Sequence, residues 1–392
     1  MNARLAALVV LAAALPAFGQ NHSVCPAFAA DGSVLAWIDI ADNNGAVCLS
    51  AEPFEKVSAK VALDANLLGN MREAIRQGTI GQRLAVCGDG SMVFVAGKGV
   101  AALTVNDGKL GKATMLKGID GTFSFVAANE DGTAIALLLD GPTVSSDGRS
   151  SAPSFRSLLI AQKGDGGWKL GKPMTEQEAG HFASAVIFVG PDRVMYNHDK
   201  KNYIAKLGEK PAEVRFPGVS FRPQAATADG KTVMVTGRDI TDEVGTDARD
   251  IYLLTDEDGA WSKPQMVLRD PAVENFDNVT MSSDGKVILY ENAVGEEDEK
   301  TTQVLALKHT EGEWSAPMAM FASDKPAKLL GLAACKTKQV AYSLSMEGGG
   351  KSELFLRGDL DEETKAVSLS EQSAGMKAGQ GETSRPATTP AE

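Results

Sequence analysis

The sequence repeats a short pattern in which one apolar run leads into Asp-Gly and a second apolar run follows. Five copies keep the Asp-Gly pair: AFAADGSVLAWI (27–38), LAVCGDGSMVFV (84–95), VAANEDGTAIALLL (126–139), AATADGKTVMV (225–235) and VTMSSDGKVILY (279–290). Two further copies fit the same register without it, at 187–196 and 332–342. Because Asp-Gly readily accepts the positive φ angles of a tight two-residue turn, each copy predicts a β-hairpin.

A second pattern follows each copy of the first and also occurs seven times, at 46–63, 100–116, 157–174, 203–216, 251–268, 304–321 and 354–369. Three of these copies carry a tryptophan and then a proline: Trp168 with Pro173, Trp261 with Pro264, and Trp314 with Pro317. Proline is tolerated only at the edge of a sheet, so the last strand of each hairpin is predicted to be an edge strand. The recurrence of tryptophan at one repeat position predicts that these rings pack within the sheets.

Two hairpins per repeat make a four-stranded antiparallel sheet, and several of the strands are apolar on both faces. Such strands are buried between stacked sheets. Residues 20–369, divided among seven repeats, give about 50 residues each, which is the length of a propeller blade. We therefore predict an all-β fold, a seven-bladed β-propeller of four-stranded antiparallel blades. Six or eight blades are the alternatives, because the fourth and seventh repeats are degenerate.

The two ends of the chain have other compositions. Residues 1–19 combine Arg4, an apolar run from Leu5 to Leu15 and small residues at Ala17 and Gly19, which is typical of a signal peptide cleaved after Gly19. The run is shorter than the roughly 20 residues of a membrane-spanning helix. We expect a periplasmic or secreted protein without membrane insertion after cleavage. Residues 370–392 hold little that can be buried, and we predict a disordered tail.

The combination of an Asp-Gly hairpin with a tryptophan–proline strand, as in SSDGKVILY (282–290) and DGAWSKP (258–264), resembles a known family of repeats. It is similar to the WD-repeat-like β-propeller repeats of the periplasmic Tol-Pal translocation protein and its exported relatives. The resemblance covers nearly all of residues 24–369. It implies a propeller architecture and protein–protein contact in the bacterial envelope.

The charge of the chain argues against nucleic acid as a partner. There are 51 acidic residues against 39 basic ones, for a net charge of -12. Binding to phosphate backbones or anionic lipid depends on clustered lysine and arginine, which release counterions. We therefore expect an envelope or extracellular protein as the partner.

The loops between the second and third strands are long in four repeats, at 140–154, 239–250, 291–302 and 345–352, and they emerge on one face. Two of them are acidic: 239–250 and 291–300 each hold five acids and one basic residue. The candidate binding residues are Asp239, Asp242, Glu243, Asp247, Asp250, Glu296, Glu297, Asp298 and Glu299. They favour a cationic partner or Ca²⁺, which takes six to eight oxygen ligands, although neither loop has the full spacing of a calcium loop. The alternative is a pair of solvated loops that promote solubility.

No nucleophile elbow, phosphate-binding loop or dinucleotide fingerprint occurs in the sequence, and no domain-sized segment follows residue 369. The four histidines, at 22, 181, 198 and 309, lack metal-ligand spacing, and His198-Asp199 is interpreted as a surface or capping pair. We therefore predict an exported, non-catalytic binding or scaffold protein, with no residue assigned to catalysis. The alternative is an exported propeller hydrolase or lyase that acts on glycans or esters at an acidic, calcium-supported site.

Two local features complete the predictions. The four cysteines, at 25, 48, 87 and 335, would lie in an oxidising compartment, where two disulfides are possible with three connectivities. Cys25 and Cys48 share the first repeat and are the candidate staple. Residues 64–81 place Leu67, Leu68, Met71, Ala74 and Ile75 at helical spacing, which predicts one short helix against the flank of the propeller or a docking site for a partner.

Overall fold

The structure is a computed structural model of the 392-residue chain. It describes residues 21–41, 44–69, 71, 74–75, 80–145, 151–215, 219–239, 250–269, 276, 278–294, 301–336, 339–346, 351–357, 360 and 367–369. The predicted signal peptide (1–19) and tail (370–392) lie outside the described residues. Below, the seven repeats of the sequence are called units 1 to 7.

The strands of units 1 to 3 are β1 (Asn21–Phe28), β2 (Val34–Ala41), β3 (Asn44–Ala51), β4 (Ala59–Leu63), β5 (Leu84–Val86), β6 (Met92–Gly97), β7 (Gly99–Asn106), β8 (Lys109–Leu110), β9 (Thr114–Met115), β10 (Phe123–Ala128), β11 (Ala134–Asp140), β12 (Thr143–Ser145), β13 (Ser151–Pro153), β14 (Arg156–Gly164) and β15 (Gly167–Leu170). The helix α1 (Ala65–Leu68) lies between β4 and β5, and the described residues Met71, Ala74 and Ile75 after it are also helical.

The strands of units 4 to 7 are β16 (Ala183–Phe188), β17 (Arg193–His198), β18 (Lys201–Lys206), β19 (Ala212–Val214), β20 (Val219–Ala226), β21 (Thr232–Asp239), β22 (Asp250–Glu257), β23 (Ala260–Trp261), β24 (Gln265–Leu268), β25 (Val279–Met281), β26 (Val287–Val294), β27 (Thr301–Thr310), β28 (Glu313–Trp314), β29 (Met318–Ala334), β30 (Val340–Met346), β31 (Ser352–Arg357) and β32 (Val367–Ser368).

Within each unit the strands pair antiparallel in chain order, as the two hairpins predict. In unit 1, for example, β1, β2, β3 and β4 are neighbours, and Trp37 on β2 lies opposite Cys48 on β3. In unit 3 the extra hairpin β12–β13 sits inside the loop between β11 and β14. The four-stranded antiparallel blade is therefore confirmed.

The number of separate sheets differs from the prediction. The described strands form five sheets of four or more strands, not seven. One of these has twelve strands and contains units 6, 7 and 1. It is continuous because the 17-residue β29 pairs first with β27 and then with β30, and because His22 on β1 pairs in parallel with Ser352 on β31. The pairing runs through unit boundaries at which the sequence predicts a break.

Apolar side chains fill the spaces between consecutive units. Each of seven buried clusters joins residues of two neighbouring units, from units 1 and 2 through to units 7 and 1. The last of them packs Leu35 and Trp37 against Leu354 and Leu356. Blades that are apolar on both faces and packed in this way form an all-β propeller.

The recurrent tryptophans pack within these layers, as predicted. Trp168 of unit 3 meets Phe94 of unit 2 edge to face, with ring centroids 5.5 Å apart. Trp261 and Trp314 lie against the clusters that join their units to the preceding ones. Aromatic pairs of this geometry add about 1 kcal/mol beyond their buried area.

The Asp-Gly turns are longer than the predicted two-residue turns. Asn129 N donates to Ala134 O, so residues 130–133 form the loop, and only its glycine takes a positive φ, at 64° for Gly132. The aspartate stays at negative φ because its carboxylate accepts the amide two residues later, as Asp131 does from Thr133 at 3.0 Å. The same bond recurs at Asp31, Asp89, Asp229 and Asp284. Aspartate thus serves as an Asx-type acceptor here.

The segment after β4 packs against the propeller as predicted, and its described residues at 65–68, 71 and 74–75 are helical. Asp64 caps the turn by accepting from Asn66 N at 2.8 Å. The five apolar residues that carry the helical spacing are all buried in the cluster between units 1 and 2: Leu67, Leu68, Met71, Ala74 and Ile75. Gly97 permits this close approach, since a Cβ there would lie 1.8 Å from Leu67 O. No helix among the described residues has the length and hydropathy of a membrane span.

Candidate functional site

The propeller has two ends that differ in their loops. Because the strands are antiparallel, the loop after the second strand lies beside the start of the first strand, as the pair Ala183 and His198 shows in unit 4. We call this end, at which β11, β21, β26 and β30 end and β14, β22, β27 and β31 begin, the long-loop face. The turns that contain Asp31, Asp89, Asp131, Asp229 and Asp284 lie at the other end, which we call the Asp-Gly face.

A central cavity of about 670 Å³ runs between the first strands of all seven units. Most of its lining is backbone and small or apolar side chains, from Pro26 in unit 1 to Ala334 in unit 7. Its polar side chains include Gln82, Asn129, Gln224, Asn278, Glu291 and Lys328. Several of these are engaged with one another: Asn278 Nδ2 donates to Glu291 Oε2 at 2.5 Å, and Gln224 Nε2 donates to Thr236 Oγ1 at 2.8 Å.

Hydrogen bonds between turns bridge the Asp-Gly face. Asp31 N donates to Gly88 O at 3.1 Å, which joins units 1 and 2, and Ala228 N donates to Ser283 O at 2.8 Å, which joins units 5 and 6. Ser283 Oγ also donates to Ala30 O at 2.5 Å, so the turns of units 6 and 1 meet directly. These bonds join turns of units 1, 2, 5 and 6 at the Asp-Gly face.

Two of the described residues that line the cavity are acidic, Glu130 and Glu291, and none is a histidine. Glu130 lies in an Asp-Gly turn, whereas Glu291 lies beside the start of β25, because its amide donates to Asn278 O at 3.0 Å. The length of a first strand, roughly 15 Å at about 3.3 Å per residue, therefore separates the backbone levels of the two residues. Paired carboxylates in glycosidases are about 5–9.5 Å apart. Glu130 and Glu291 do not form such a pair.

The acidic loops predicted to bind a partner are largely outside the described residues, which exclude Asp242, Glu243, Asp247, Glu296, Glu297, Asp298 and Glu299. Asp239 ends β21 and Asp250 begins β22, so both residues lie at the long-loop face.

The Asp250 side chain points into its blade. It is 3 % exposed, and it accepts bonds from Arg269 Nε and Nη2 and from Tyr252 Oη at 2.9–3.1 Å. Its carboxylate is therefore used in an internal ion pair.

The predicted staple between Cys25 and Cys48 is not formed, since no disulfide joins these two buried cysteines. The Cys25 thiol donates to Gly81 O at 3.3 Å in the cluster between units 1 and 2. The Cys48 thiol donates to Asp39 Oδ2 at 3.2 Å in the cluster between units 7 and 1. The two side chains thus lie on opposite faces of one sheet. Burial raises the pKa of Cys25 to about 11 and that of Cys48 well above its usual value.

Four polar side chains of units 3 and 4 converge at the long-loop face: Glu176, His181, His198 and Asp199. The ring nitrogens and carboxylate oxygens that Glu176, His181 and His198 offer all lie within 4.8 Å of one another. His181 Nδ1 is 2.6 Å from Asp199 Oδ2, and His198 Nε2 is 3.3 Å from Glu176 Oε2. The two imidazole rings are nearly parallel, with centroids 6.0 Å apart. None of the four residues lines the central cavity.

Local backbone geometry fixes this cluster. Asp199 and Lys200 form a tight turn with φ angles of 49° and 67°, which presents the Asp199 carboxylate to the start of β16. Its second oxygen accepts from Phe182 N at 3.2 Å. The hydrogen bond to Asp199 raises the pKa of His181 above its usual value. Partial burial raises the pKa of Asp199, but the bonds from His181 and Phe182 outweigh it, so that this pKa is lowered overall.

The sequence interpretation missed this cluster. His181 and His198 are 17 positions apart, outside the short spacings of metal motifs, and His198 is buried rather than a surface residue. The hairpin brings them together, because His181 lies two residues before Ala183, and Ala183 pairs with His198. The signal available in the sequence was the hairpin register, which places both histidines at one end of unit 4.

No protein-family model matches the chain, and no curated protein matches it. Among solved structures, the chain is similar to the β-propeller domain of the Trilobed protease from Pyrococcus furiosus, described as having an open velcro topology. Identity is 13%, with 89% of this chain and 97% of that chain covered and a TM-score of 0.54. The β-propeller domain of Cps50 (Swd1) from Myceliophteria thermophila is 12% identical, with 85% and 95% covered and a TM-score of 0.52.

Pyrococcus horikoshii acylaminoacyl peptidase is also similar. It is 12% identical, with 89% of this chain and 52% of that chain covered and a TM-score of 0.55. The present chain thus corresponds to about half of the peptidase. At these identities the similarity shows the propeller fold alone.

Proposed function

We propose that this protein is an exported, non-catalytic β-propeller that binds a protein of the bacterial envelope or the extracellular space through its long-loop face. One observation carries the proposal: the acidic residues of the central cavity, Glu130 and Glu291, lie at opposite ends of it. General acid–base chemistry requires groups within reach of one substrate. The hydrolase or lyase alternative would need a carboxylate pair or a histidine–carboxylate pair there, and the described lining has neither.

We further propose that the propeller has seven blades. Each of the seven units has four strands or more of its own, and seven apolar clusters join them in sequence. In this interpretation the twelve-stranded sheet is three blades linked by β29 and by the pair of His22 with Ser352. The cluster of Leu35, Trp37, Leu354 and Leu356 supports closure of the ring between units 7 and 1.

The acidic loops at 239–250 and 291–300 give the long-loop face its negative charge. A concentrated charge of one sign steers an oppositely charged partner and makes binding sensitive to salt. We infer a partner with a cationic surface. Export and an envelope location rest on the signal sequence of residues 1–19 and on the resemblance to exported propeller repeats.

The test is affinity capture with chemical cross-linking, in which the mature chain (residues 20–392) is exposed to native envelope extract. The loop variant neutralises seven acids: Asp242→Asn, Glu243→Gln, Asp247→Asn, Glu296→Gln, Glu297→Gln, Asp298→Asn and Glu299→Gln. The matched control neutralises seven exposed acids of the outer turns: Asp107, Asp165, Glu209, Glu257, Asp258, Glu311 and Glu313. All three chains carry their tag at the same end.

The expected result is one stoichiometric protein that the natural chain and the control retain and the loop variant loses. Retention by all three chains would remove the acidic loops from the interface. Capture of no protein would contradict the scaffold role. Repeating the capture with a Ca²⁺ chelator tests whether calcium supports the loops, since loss of the partner from the natural chain is then expected.

A further inference from the structure

We propose that Glu176, His181 and His198 form a binding site for Zn²⁺ at the long-loop face of unit 4, with Asp199 as the positioning residue of His181. Nothing in the proposed protein-binding function requires this site. It is a separate inference, drawn from the convergence of four side chains that come from one connection and one hairpin.

The first argument is geometric. The ligand atoms that the three residues offer lie within 4.8 Å of one another. Nitrogen and oxygen ligands about 2.1 Å from a tetrahedral Zn²⁺ are about 3.4 Å apart. His198 Nε2 and Glu176 Oε2, 3.3 Å apart, already have that separation. Small rotations of the half-buried His181 and the exposed Glu176 therefore complete the site.

The second argument is an unsatisfied buried atom. His198 is only 7% exposed, and its Nε2 has no hydrogen-bond partner among the described residues. The same nitrogen faces the carboxylate oxygens of Glu176 at 3.3 Å and Asp199 at 3.6 Å. Buried polar atoms are nearly always hydrogen-bonded, so a buried imidazole nitrogen that lies near two carboxylates without a hydrogen bond to either indicates a place for a cation. A cation bound between His198 Nε2 and Glu176 would satisfy this nitrogen, while Asp199 Oδ2 stays bonded to His181.

The third argument is the role of Asp199. Metal-binding histidines commonly donate their second ring N–H to a carboxylate, which fixes the ring and its tautomer. His181 Nδ1 lies 2.6 Å from Asp199 Oδ2, and Asp199 is itself held by the amide of Phe182. With Nδ1 occupied in this way, His181 Nε2 is left to bind the metal.

The donor set selects the class of metal. Two imidazoles and one carboxylate suit Zn²⁺ rather than Ca²⁺ or Mg²⁺, which prefer oxygen ligands alone. Three protein ligands leave a fourth position for water or for a group of a bound partner. The site ties the connection 171–182 to the end of β17, so that metal would stiffen this part of the long-loop face.

The experiment uses the mature chain without a polyhistidine tag, stripped with a chelator and titrated with Zn²⁺ alone against a chromophoric chelator. Glu176→Gln and His181→Ala remove ligands that are exposed or half-buried and therefore leave the core intact. Two matched controls are Glu178→Gln, an exposed acid two residues from Glu176, and His309→Ala, a histidine of unit 6. Unfolding curves with chelator present verify that each variant is folded.

We expect one Zn²⁺ per natural chain, and at least a tenfold loss of affinity in Glu176→Gln and in His181→Ala. Affinity is unchanged in both controls. Asp199→Asn is expected to weaken binding about tenfold, as loss of a carboxylate behind a ligating histidine typically does. Co²⁺ in place of Zn²⁺ should give the visible spectrum of a four-coordinate site in the natural chain and lose it in His181→Ala.

Absence of Zn²⁺ binding in the natural chain would overturn the proposal. So would affinity that is the same in the natural chain, Glu176→Gln and His181→Ala, because the bound ion would then lie elsewhere, for instance on the thiols.

Discussion

Arg269 holds the carboxylate of Asp250 by two charge-assisted bonds, Nε to Oδ1 at 3.1 Å and Nη2 to Oδ2 at 2.9 Å. The Asp250 side chain is 3% exposed, whereas that of Arg269 is 44% exposed. One acid of the loop 239–250 is thus buried within its own blade. The Asp250 carboxylate is therefore neutralised by Arg269 within the blade.

Replacement of Arg269 by methionine is expected to destabilise the fold by about 2–3 kcal/mol, since it leaves a buried carboxylate with fewer charged hydrogen bonds. Urea unfolding at neutral pH measures this loss. The control is Asp242→Asn, in the loop 239–250 that ends at Asp250. For this substitution we expect the free energy of unfolding to change by no more than about 0.5 kcal/mol. Equal effects of the two substitutions would show that the ion pair contributes nothing to stability.

Substitution of alanine for Gly230 should be much more costly than for Gly259. Both glycines have positive φ, 66° and 92°, which costs alanine about 1–2 kcal/mol. A Cβ at Gly230 would also lie 2.4 Å from Gly190 N in the turn of unit 4, whereas a Cβ at Gly259 meets nothing within 4 Å. In urea unfolding, Gly230→Ala should lower the free energy of unfolding by more than about 3 kcal/mol, and Gly259→Ala should lower it by about 1 kcal/mol. Similar losses would contradict the close contact of the two turns.

The thiols of Cys25 and Cys48 should react slowly in the folded protein and should not be joined to each other. Burial raises the pKa of Cys25 to about 11, so at neutral pH its thiolate fraction is roughly a hundredfold below that of a free cysteine. Mass spectrometry after alkylation under non-reducing, unfolding conditions should count four adducts. Two adducts, with Cys25 and Cys48 unmodified, would establish the staple that the sequence suggested.

The pair of His181 and Asp199 makes stability depend on pH. The folded-state pKa of His181 is raised, by the bond to Asp199 and by the charges of Asp199, Glu176 and Glu178. The pair therefore contributes fully to the free energy of unfolding below the unfolded-state pKa of about 6.5. This contribution is lost as the pH rises through the raised folded-state pKa of His181. With chelator present, the cost of His181→Asn should be larger at about pH 5.5 than at about pH 8.5.

His309→Asn serves as the control for this comparison. Asp199 does not confound it, because its lowered pKa places its own transition below about pH 4. A cost of His181→Asn that is independent of pH would contradict the pairing.

The repeats made the blade predictable because hairpin signals are local. The Asp-Gly turns, the packing of Trp168 and the burial of Leu67 all follow from residues close in sequence. Features that the hairpin motifs do not carry were missed: β29 runs from one unit into the next, and the contact of His181 with His198 depends on the exact register of a hairpin rather than on a short metal-ligand spacing. Asp250 was grouped with surface acids because its partner, Arg269, follows a whole hairpin later. Local patterns did not reveal that Cys25 and Cys48 face opposite sides of their sheet.

Binding of a partner at the long-loop face is tested most directly by photo-cross-linking from single positions. A photoreactive amino acid replaces Lys98 or Lys200, which are exposed in turns of the long-loop face, or Lys231 or Lys286, which are exposed beside Asp-Gly turns. The four chains are irradiated in native envelope extract. We predict that one protein is cross-linked from positions 98 and 200 and not from positions 231 and 286. Cross-linking of that protein from the Asp-Gly face alone would contradict the proposed function.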